Sequence, residues 1–258
     1  SQCALLAARQ AWEQAGAPQV APQRLAVSVS PGMGPVLSVM EAWDTLRDKG
    51  PRRVLPTAVP ALMPNAPAAA VGIELGAHGG IHAPVSACAS GAEAIAYGAD
   101  LITLGRADVV VAGGTDAALH PMTVAAFGAM RALSTRNADP QTASRPFAPD
   151  RDGFVLGEGA GILVLERAGH AIARGAQVLA VLAGSGVTAD AYDVARPEPS
   201  GAEQERALRL AVERADLGAD AVGHVNAHAT STPAGDVVEA GVLARTVPSA
   251  AVSATKSA

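Results

Sequence analysis

The sequence predicts an α/β fold built from two similar halves, each with its own sheet. Strand-like and helix-like segments alternate along the whole chain, and near Ala176 the order of elements begins again. The 258 residues are 49% hydrophobic but only 3% aromatic, so we expect a core of Ala, Val, Leu and Ile that packs helices closely on sheets. We therefore predict two domains, residues 1–170 and residues 171–258, which share element order without repeating the sequence itself.

The elements of the first half follow from hydrophobic spacing and from Gly and Pro at their ends. Ala107 to Gly113 is a nearly unbroken Val and Ala run, the pattern of a central strand covered on both faces. In chain order we expect a helix at 4–15, a strand at 24–30, a helix at 35–49, a proline-rich loop at 51–67, a helix at 68–75, a short buried strand leading into Cys88, a long helix after it, a strand at 107–113, a polar loop at 131–151 and a strand at 159–166.

The same patterns predict the second half. A polar loop separates its first strand from an amphipathic helix, and two further strands follow. In chain order we expect a strand at 176–187, a helix at 202–215, a strand at 222–227, a helix at about 235–245 and a strand at 250–254.

Composition excludes several classes of function. The net charge of −5 and the pI near 5.7 argue against nucleic-acid binding, which needs clustered Lys and Arg. Cys3 and Cys88 are the only cysteines, too few for a disulfide framework or a zinc site, which indicates a reducing cytoplasm. The sequence shows neither an apolar stretch long enough to span a membrane nor a signal peptide, so we expect a soluble protein.

Cys88 stands where a predicted strand gives way to a predicted helix. The helix dipole and the unpaired amides at a helix start favour a thiolate over a thiol, as a nucleophile requires. Gly91 has no side chain to block close packing in the first helical turn. A cysteine in alanine-rich surroundings is also typical of a small core residue. The local sequence by itself favours the core residue, and the rest of the chain reverses this in favour of the nucleophile.

His228 follows the predicted strand at 222–227, at the same kind of strand end that carries Cys88. Ligands of α/β proteins gather at such ends. Asp236 and Glu239 are one helical turn apart, so both carboxylates can orient neighbours from one face of a helix. The local sequence is equally consistent with a histidine satisfied beside a helix cap. Each carboxylate taken alone is more typical of a negative charge that complements the helix start.

The remaining polar motifs point to no further site. Lys256, near the end of the chain, is by itself typical of a solvated lysine. The glycine-rich segments 113–115 and 157–161 lack a Walker lysine and the dinucleotide-binding pattern, so we interpret them as tight strand turns. Five other histidines lack the grouping with Cys or carboxylates that a metal site needs, and we expect them to be structural: His78, His82, His120, His170 and His224.

Four blocks of the sequence together resemble the elongating β-ketoacyl-[acyl-carrier-protein] synthases, condensing enzymes of the thiolase-like superfamily. The resemblance covers nearly the whole chain and implies a layered αβαβα fold with two related mixed sheets. The blocks are VSACASGA at 85–92, MRALSTRN at 130–137, RDGFVLGEGAG at 151–161 and VNAHATSTPAGD at 225–236.

The resemblance implies roles for individual residues. Cys88 is similar to the acyl-accepting nucleophile and His228 to the first of two active-site histidines. Lys256 matches the lysine of the next motif, and Glu239 matches a buried acidic residue that supports it. The implied reaction is a decarboxylative Claisen condensation of an acyl-Cys88 enzyme with malonyl-acyl-carrier protein, giving a 3-oxoacyl-acyl-carrier protein, with no metal or other cofactor.

The family also implies partners and alternatives. The partner is an acyl-carrier protein that presents acyl and malonyl groups on phosphopantetheine, and the protein is a homodimer or a heterodimer with a ketosynthase-like subunit. The reaction belongs to fatty-acid elongation or to a type II polyketide pathway. A chain-length-determining subunit is a further alternative, although such subunits generally lack the cysteine. A thiolase or a cysteine hydrolase would carry different blocks around the thiol.

The resemblance has two departures. Tyr192 is followed by Asp193 where many relatives have histidine, so the entrance or carrier-protein surface is expected to differ. The family has a strand before the position of Ser1, and a second histidine and an oxyanion loop after that of Ala258. We therefore interpret the chain as an internal segment, inactive and poorly folded alone. We expect the strands at 24–30 and 107–113 to face an empty place at the sheet centre.

Overall fold

The computed structural model describes residues 1–257, which fold as two compact units. The first unit consists of residues 1–120 and 157–181, and the second of residues 121–156 and 182–258. The polar loop around 131–151 therefore belongs to the second unit, together with the later part of the chain. The predicted boundary between two halves at residue 170 is a different kind of division from these compact units, and it stays a prediction.

A four-stranded sheet forms the centre of the first unit, in the order β2-β1-β3-β4. β1 is parallel to β2 and β3, whereas β4 runs antiparallel to β3, so the sheet is mixed as expected. The strands are β1 Leu25–Ser30, β2 Ile81–His82, β3 Val109–Asp116 and β4 Gly159–Glu166, and the helices are α1 Gln2–Gln14, α2 Val36–Lys49, α3 Ala58–Leu62, α4 Ala66–Leu75, α5 Ser90–Thr103 and α7 Ala168–Ala173.

Alternate residues of the central strands supply two separate cores. Val27 of β1 and Val111 of β3 pack with Ala4 of α1 and Val71 of α4 on one face. On the other face Val110 of β3 packs with neighbours that include Leu101 of α5. Because side chains alternate along a strand, the continuous apolar sequence of β3 covers both faces, as predicted.

The expected gap at the centre of this sheet does not exist. β1 pairs directly with β3 over six residues, from Leu25 opposite Val109 to Ser30 opposite Gly114. The prediction of an empty place between these strands is therefore wrong. The mutual pairing satisfies the backbone groups that were expected to be unpaired.

The segment before Cys88 also differs from the prediction of a buried strand. β2 ends at His82, and residues 83–86 have no regular secondary structure. Val85 is 51% exposed. Pro84 removes a backbone donor that a strand ladder needs, which accounts for the early end of β2. The proline-rich segment 51–67, expected to be an ordered loop, also includes the short helix α3.

The second unit contains a two-stranded parallel sheet, β5 with β6. Its small core includes Ala227 and Ala229 beside β5 and Leu243 and Val247 at the end of the last helix. Its elements are α6 Pro121–Ala129, α8 Ala202–Arg214, β5 His224–Asn226, α9 Pro233–Thr246 and β6 Ala251–Ser253. The helices and strands predicted after residue 200 are all present in similar places.

The strand predicted at 176–187 is absent from the described residues. This segment has no regular structure, and Leu179 and Val181 are largely exposed. A Cβ atom on Gly184 would lie 2.2 Å from the carbonyl oxygen of Ala211, and one on Gly186 would lie 1.9 Å from that of Ala207. These two glycines therefore lie directly against α8, and no described strand pairs with the segment.

Candidate active site

Cys88 lies in a 3-10 turn, Ala87–Ala89, immediately before α5. The residue is exposed, so the alternative of a buried core cysteine does not apply. The preceding Ala87 has a φ of 52°, in the left-handed region that alanine adopts only when its surroundings impose it. The thiol-bearing residue thus sits on a strained turn at the positive end of a helix.

The hydroxyl of Ser90 holds this turn together. Its oxygen accepts a hydrogen bond from the backbone N–H of Ser86 at 2.9 Å and donates one to the carbonyl oxygen of Ala87 at 2.7 Å. Ser90 is only 2% exposed, so water does not readily replace these bonds. This role of Ser90 was not predicted from the sequence. The available signal was a serine four residues after another in a turn, a spacing at which side chains bond to the backbone.

Glycines allow the helix to pack directly on the sheet behind the turn. A Cβ atom on Gly91 would lie 3.3 Å from the Cα atom of Gly114 in β3. This confirms the expectation that Gly91 permits close packing in the first turn of α5. The start of the helix, and with it Cys88, is therefore placed by contact with a central strand.

A second close approach lies beside the turn. A Cβ atom on Gly32 would be 3.1 Å from the carbonyl oxygen of Ala87. Asp116, the last residue of β3, accepts hydrogen bonds from the N–H groups of Gly32 at 2.8 Å and Met33 at 3.2 Å. The loop after β1 is thereby tied to β3 next to the Cys88 turn, a role for Asp116 that sequence analysis missed.

His228 follows β5 in the second unit, and the side chain of Glu239 in α9 holds its backbone. One carboxylate oxygen accepts the N–H of His228 and the other accepts the N–H of Ala229, each at 2.7 Å. Ala229 is fully buried and has a φ of 40°. Glu239 is half-buried and acts on the main chain that carries the histidine.

The surroundings of His228 lower the pKa of its imidazole. Desolvation by neighbouring protein atoms is the largest cause, and the positive charge of Lys256 adds to it. The carboxylates of Glu239 and Asp236 act in the opposite direction with smaller effect. The residue nevertheless retains access to solvent. The neutral imidazole is therefore favoured near neutral pH.

Asp236 is a buried organiser of the loop that follows His228. It is 1% exposed, and its carboxylate accepts hydrogen bonds from the N–H of Phe147 at 2.7 Å and of Ser231 at 3.1 Å. The Nε of Arg151 lies 3.3 Å from the same carboxylate. The sequence predicted Asp236 as a possible orienting group but not its partner Arg151, because the two residues lie 85 positions apart.

Lys256 lies in the turn Thr255–Ser257 and is exposed. Its carbonyl oxygen accepts a hydrogen bond from the Ser144 hydroxyl at 3.4 Å. Its positive charge contributes to lowering the pKa of the His228 imidazole. His228, Asp236, Glu239 and Lys256 thus all belong to the second unit, whereas Cys88 belongs to the first.

The other histidines have structural surroundings where these are described. His170 contacts Glu166 at 2.5 Å, His224 lies 2.9 Å from the Ser253 hydroxyl, and His82 stacks edge-on against Tyr97. Residues 1–257 contain no group of His, Cys, Asp or Glu suited to a metal ion. None of the helices in the same range is long and apolar enough to cross a membrane.

Comparison with known proteins identifies the family. Residues 1–171 match the N-terminal domain of beta-ketoacyl synthases, and residues 179–258 match the C-terminal domain. The chain therefore belongs to the beta-ketoacyl synthase family.

Several curated relatives are called 3-oxoacyl-[acyl-carrier-protein] synthase 2. The protein from Mycobacterium tuberculosis is 44% identical over 90% of this chain and 56% of its own length. The Staphylococcus aureus protein is 43% identical over 100% of this chain and 65% of its own length. The chain thus spans a little more than half the length of these relatives.

Solved structures share the fold. A ketosynthase of a type II polyketide synthase, solved with its acyl-carrier protein, has a TM-score of 0.93 at 29% identity, covering 99% of this chain and 66% of that one. A beta-ketoacyl synthase from Burkholderia phymatum has a TM-score of 0.86 at 37% identity, covering 95% of this chain and 60% of that one. The predicted thiolase-like fold class is confirmed.

Proposed function

We propose that the protein catalyses the decarboxylative condensation of an acyl-enzyme with malonyl-acyl-carrier protein in fatty-acid chain elongation. The observation that carries the proposal is the exposed Cys88 on a strained turn at the start of α5, in a chain of this family. The turn presents the thiol to a large substrate, and the helix dipole stabilises the thiolate that must attack.

The first half-reaction is acyl transfer. The Cys88 thiolate attacks the carbonyl carbon of an acyl thioester on phosphopantetheine, and a new carbon–sulfur bond forms. The old carbon–sulfur bond then breaks, and the carrier-protein thiol leaves with a proton from solvent. Backbone amides at the start of α5 are suited to stabilise the oxyanion of the tetrahedral intermediate.

The second half-reaction uses malonyl-carrier protein. His228 donates a hydrogen bond to the malonyl thioester carbonyl while the bond to the carboxylate breaks and carbon dioxide leaves. The enolate carbon attacks acyl-Cys88, forms the new carbon–carbon bond and releases the thiolate. In this proposal Glu239 and Asp236 hold the histidine loop, and the charge of Lys256 helps to keep His228 neutral.

The proposed setting follows from the same chemistry. The partner is an acyl-carrier protein, in line with the ketosynthase structure solved in complex with one. We propose a symmetric homodimer, since closed two-fold assemblies are the commonest among soluble oligomers. Both cysteines are free, which suits a reducing cytoplasm.

A type II polyketide ketosynthase is the second candidate. The observation that favours it is the TM-score of 0.93 to a ketosynthase solved with its polyketide carrier protein. Both candidates use the same thiol chemistry and differ in the carrier protein and in the number of condensations. The presence of Cys88 disfavours a chain-length-determining subunit.

Mass spectrometry of the intact protein tests the proposal. With acyl-carrier protein, the wild type should gain one acyl group on Cys88, and then with malonyl-carrier protein it should release carbon dioxide and a 3-oxoacyl product. Cys88→Ser should not be acylated, because a serine hydroxyl is scarcely ionised. His228→Ala should still be acylated but lose decarboxylation by about 10²–10³-fold, the usual effect of removing one such donor. Product of a single two-carbon extension favours elongation, whereas several extensions favour the polyketide candidate; a wild type that takes no acyl group contradicts both.

A further inference from the structure

Two of the three side-chain nitrogens of Arg151 bind the segment that follows His228, and the third binds the loop that carries Arg151 itself. Its Nε donates to the carbonyl oxygen of Thr232 at 3.1 Å and lies 3.3 Å from the Asp236 carboxylate. One terminal nitrogen donates to the carbonyl oxygen of Pro233, and the other to that of Ala148 at 3.0 Å. The side chain is only 11% exposed, so this is a largely buried ion pair in which each side-chain nitrogen of Arg151 has a partner.

Ser231 makes a second set of bonds between the same two segments. Its hydroxyl accepts the N–H of Arg145 at 3.1 Å, and its carbonyl oxygen accepts the N–H of Gly153 at 3.0 Å. Its own N–H donates to Asp236, and the residue is fully buried. Residues 145–153 thus form a seat for residues 229–233, which we call the histidine seat.

The loop that contacts the histidine seat has a strained backbone, which needs contacts with neighbouring residues to persist. Ala229 and Ser231 both have positive φ values, 40° and 68°, in the left-handed region. Such conformations persist in residues other than glycine only where surrounding contacts impose them. Glu239 fixes the loop at His228, whereas Arg151 and Asp236 fix it on the far side of the strained residues.

We propose that Arg151, paired with Asp236, is a positioning residue for His228 that sets the imidazole by anchoring the strained loop in the histidine seat. The inference rests on the proposed function, since it assigns His228 a reacting partner. Lysine cannot replace Arg151, because an ammonium group lacks the planar fork that reaches Thr232, Pro233 and Asp236 together.

The test compares Arg151→Met and Arg151→Lys in the intact protein. The matched control is Arg209→Met, because Arg209 pairs with Glu205 on an exposed helix of the same unit. We expect both Arg151 variants to keep the acylation rate of Cys88 but to lose about 10- to 100-fold in kcat for malonyl decarboxylation, with little change in KM, as expected when a reacting group is displaced. Arg209→Met should match the wild type.

Two measurements separate positioning from general stability. Circular dichroism reports folding, and hydrogen exchange of the peptide 226–236 reports the loop; we expect faster exchange there in a folded Arg151 variant. If Arg151→Met does not fold, Arg151→Lys decides. A folded variant with faster loop exchange and wild-type kcat would overturn the inference about Arg151 but leave the proposed function intact. Equal losses in acylation and decarboxylation would do the same. A wild type without decarboxylation would instead overturn the proposed function and the inference with it.

Discussion

At the scale of single residues, the backbone next to Cys88 and next to His228 adopts an unusual, left-handed conformation. Cys88 follows a left-handed alanine, and His228 precedes one. In each case a buried or half-buried polar side chain, Ser90 or Glu239, bonds to the main chain of that turn. The chain therefore keeps two strained turns in place by side-chain hydrogen bonds rather than by glycine.

Replacing Ser90 by alanine tests this for Cys88. The N–H of half-buried Ser86 would lose its side-chain partner, whereas the carbonyl of exposed Ala87 would still accept the backbone N–H of Ser90. We therefore expect a loss of about 1 kcal/mol in the free energy of unfolding. Relaxation of the turn should also slow alkylation of Cys88 by iodoacetamide. Peptide mass spectrometry measures this, with Cys3 in the same protein as the internal reference.

Ser90→Thr is the matched control, because it keeps the hydroxyl. It should retain most of the stability and of the Cys88 labelling rate. Equal labelling of Cys88 in wild type and Ser90→Ala would show that the hydroxyl does not hold the turn.

Replacing Lys256 by methionine tests the electrostatics of His228. The lysine charge lowers the pKa of the histidine, so its removal should raise that pKa, and protonation should then begin at higher pH. Because desolvation is the larger cause and remains, we expect the removal of the lysine charge to reverse only part of the lowering. The pH dependence of diethylpyrocarbonate modification, which needs the neutral imidazole, measures the change.

Lys256→Arg keeps the charge and should leave the midpoint near that of the wild type. A midpoint that does not move in Lys256→Met would refute the assigned influence of Lys256.

At the scale of elements, close backbone contacts decide where the strands and helices lie. Gly91 of α5 approaches Gly114 of β3, and neighbouring Gly113 approaches the backbone of β4. The sheet and the helix that begins beside Cys88 therefore leave almost no room between them. Substitutions at these glycines are expected to lower the stability of the first unit, because the added side-chain atoms would collide with backbone even though no interaction is removed.

Gly113→Ala is the sharpest test of this packing. Its new Cβ atom would lie 2.0 Å from the carbonyl oxygen of Gly161, so β3 and β4 would have to separate. We expect a loss of about 1–3 kcal/mol or more in the free energy of unfolding, as in other overpacked sites, measured by urea denaturation. Gly161→Ala is the control in the opposite strand, because its Cβ atom would meet nothing within 4 Å. Equal stability of the two variants would contradict the packing described.

At the scale of the whole molecule, the first unit offers a sheet edge for self-association. β2 is the last strand on its side of the sheet, and the irregular segment after it leads to Cys88. An edge strand with free backbone groups is a template for pairing with another strand. The proposed homodimer would pair this edge antiparallel with its twin.

Val85→Asp tests that pairing, because it places a charge in the exposed segment between β2 and Cys88. We expect the dimer of the intact protein to dissociate in sedimentation velocity, since two like charges would meet across a two-fold axis. Ile172→Asp, at a residue 74% exposed in α7, should leave the dimer intact. A Val85→Asp dimer as stable as the wild type would place the interface elsewhere.

The sequence alone determined most of the elements, the α/β class, the candidate thiol and the candidate histidine, because each depends on local periodicity or on a short motif. β3 and β4 are examples, since the apolar runs VVVA in β3 and ILVL in β4 need no partner to be recognised as strands. The tertiary structure alone decided what depends on distant partners: the direct pairing of β1 with β3, the missing strand at 176–187, the exposure of Cys88, and the bonds of Glu239, Asp236 and Arg151 to backbone. The physical reason is that a strand, a buried ion pair or a strained turn exists only when residues far apart in sequence satisfy its hydrogen bonds, and no local pattern records which residues those are.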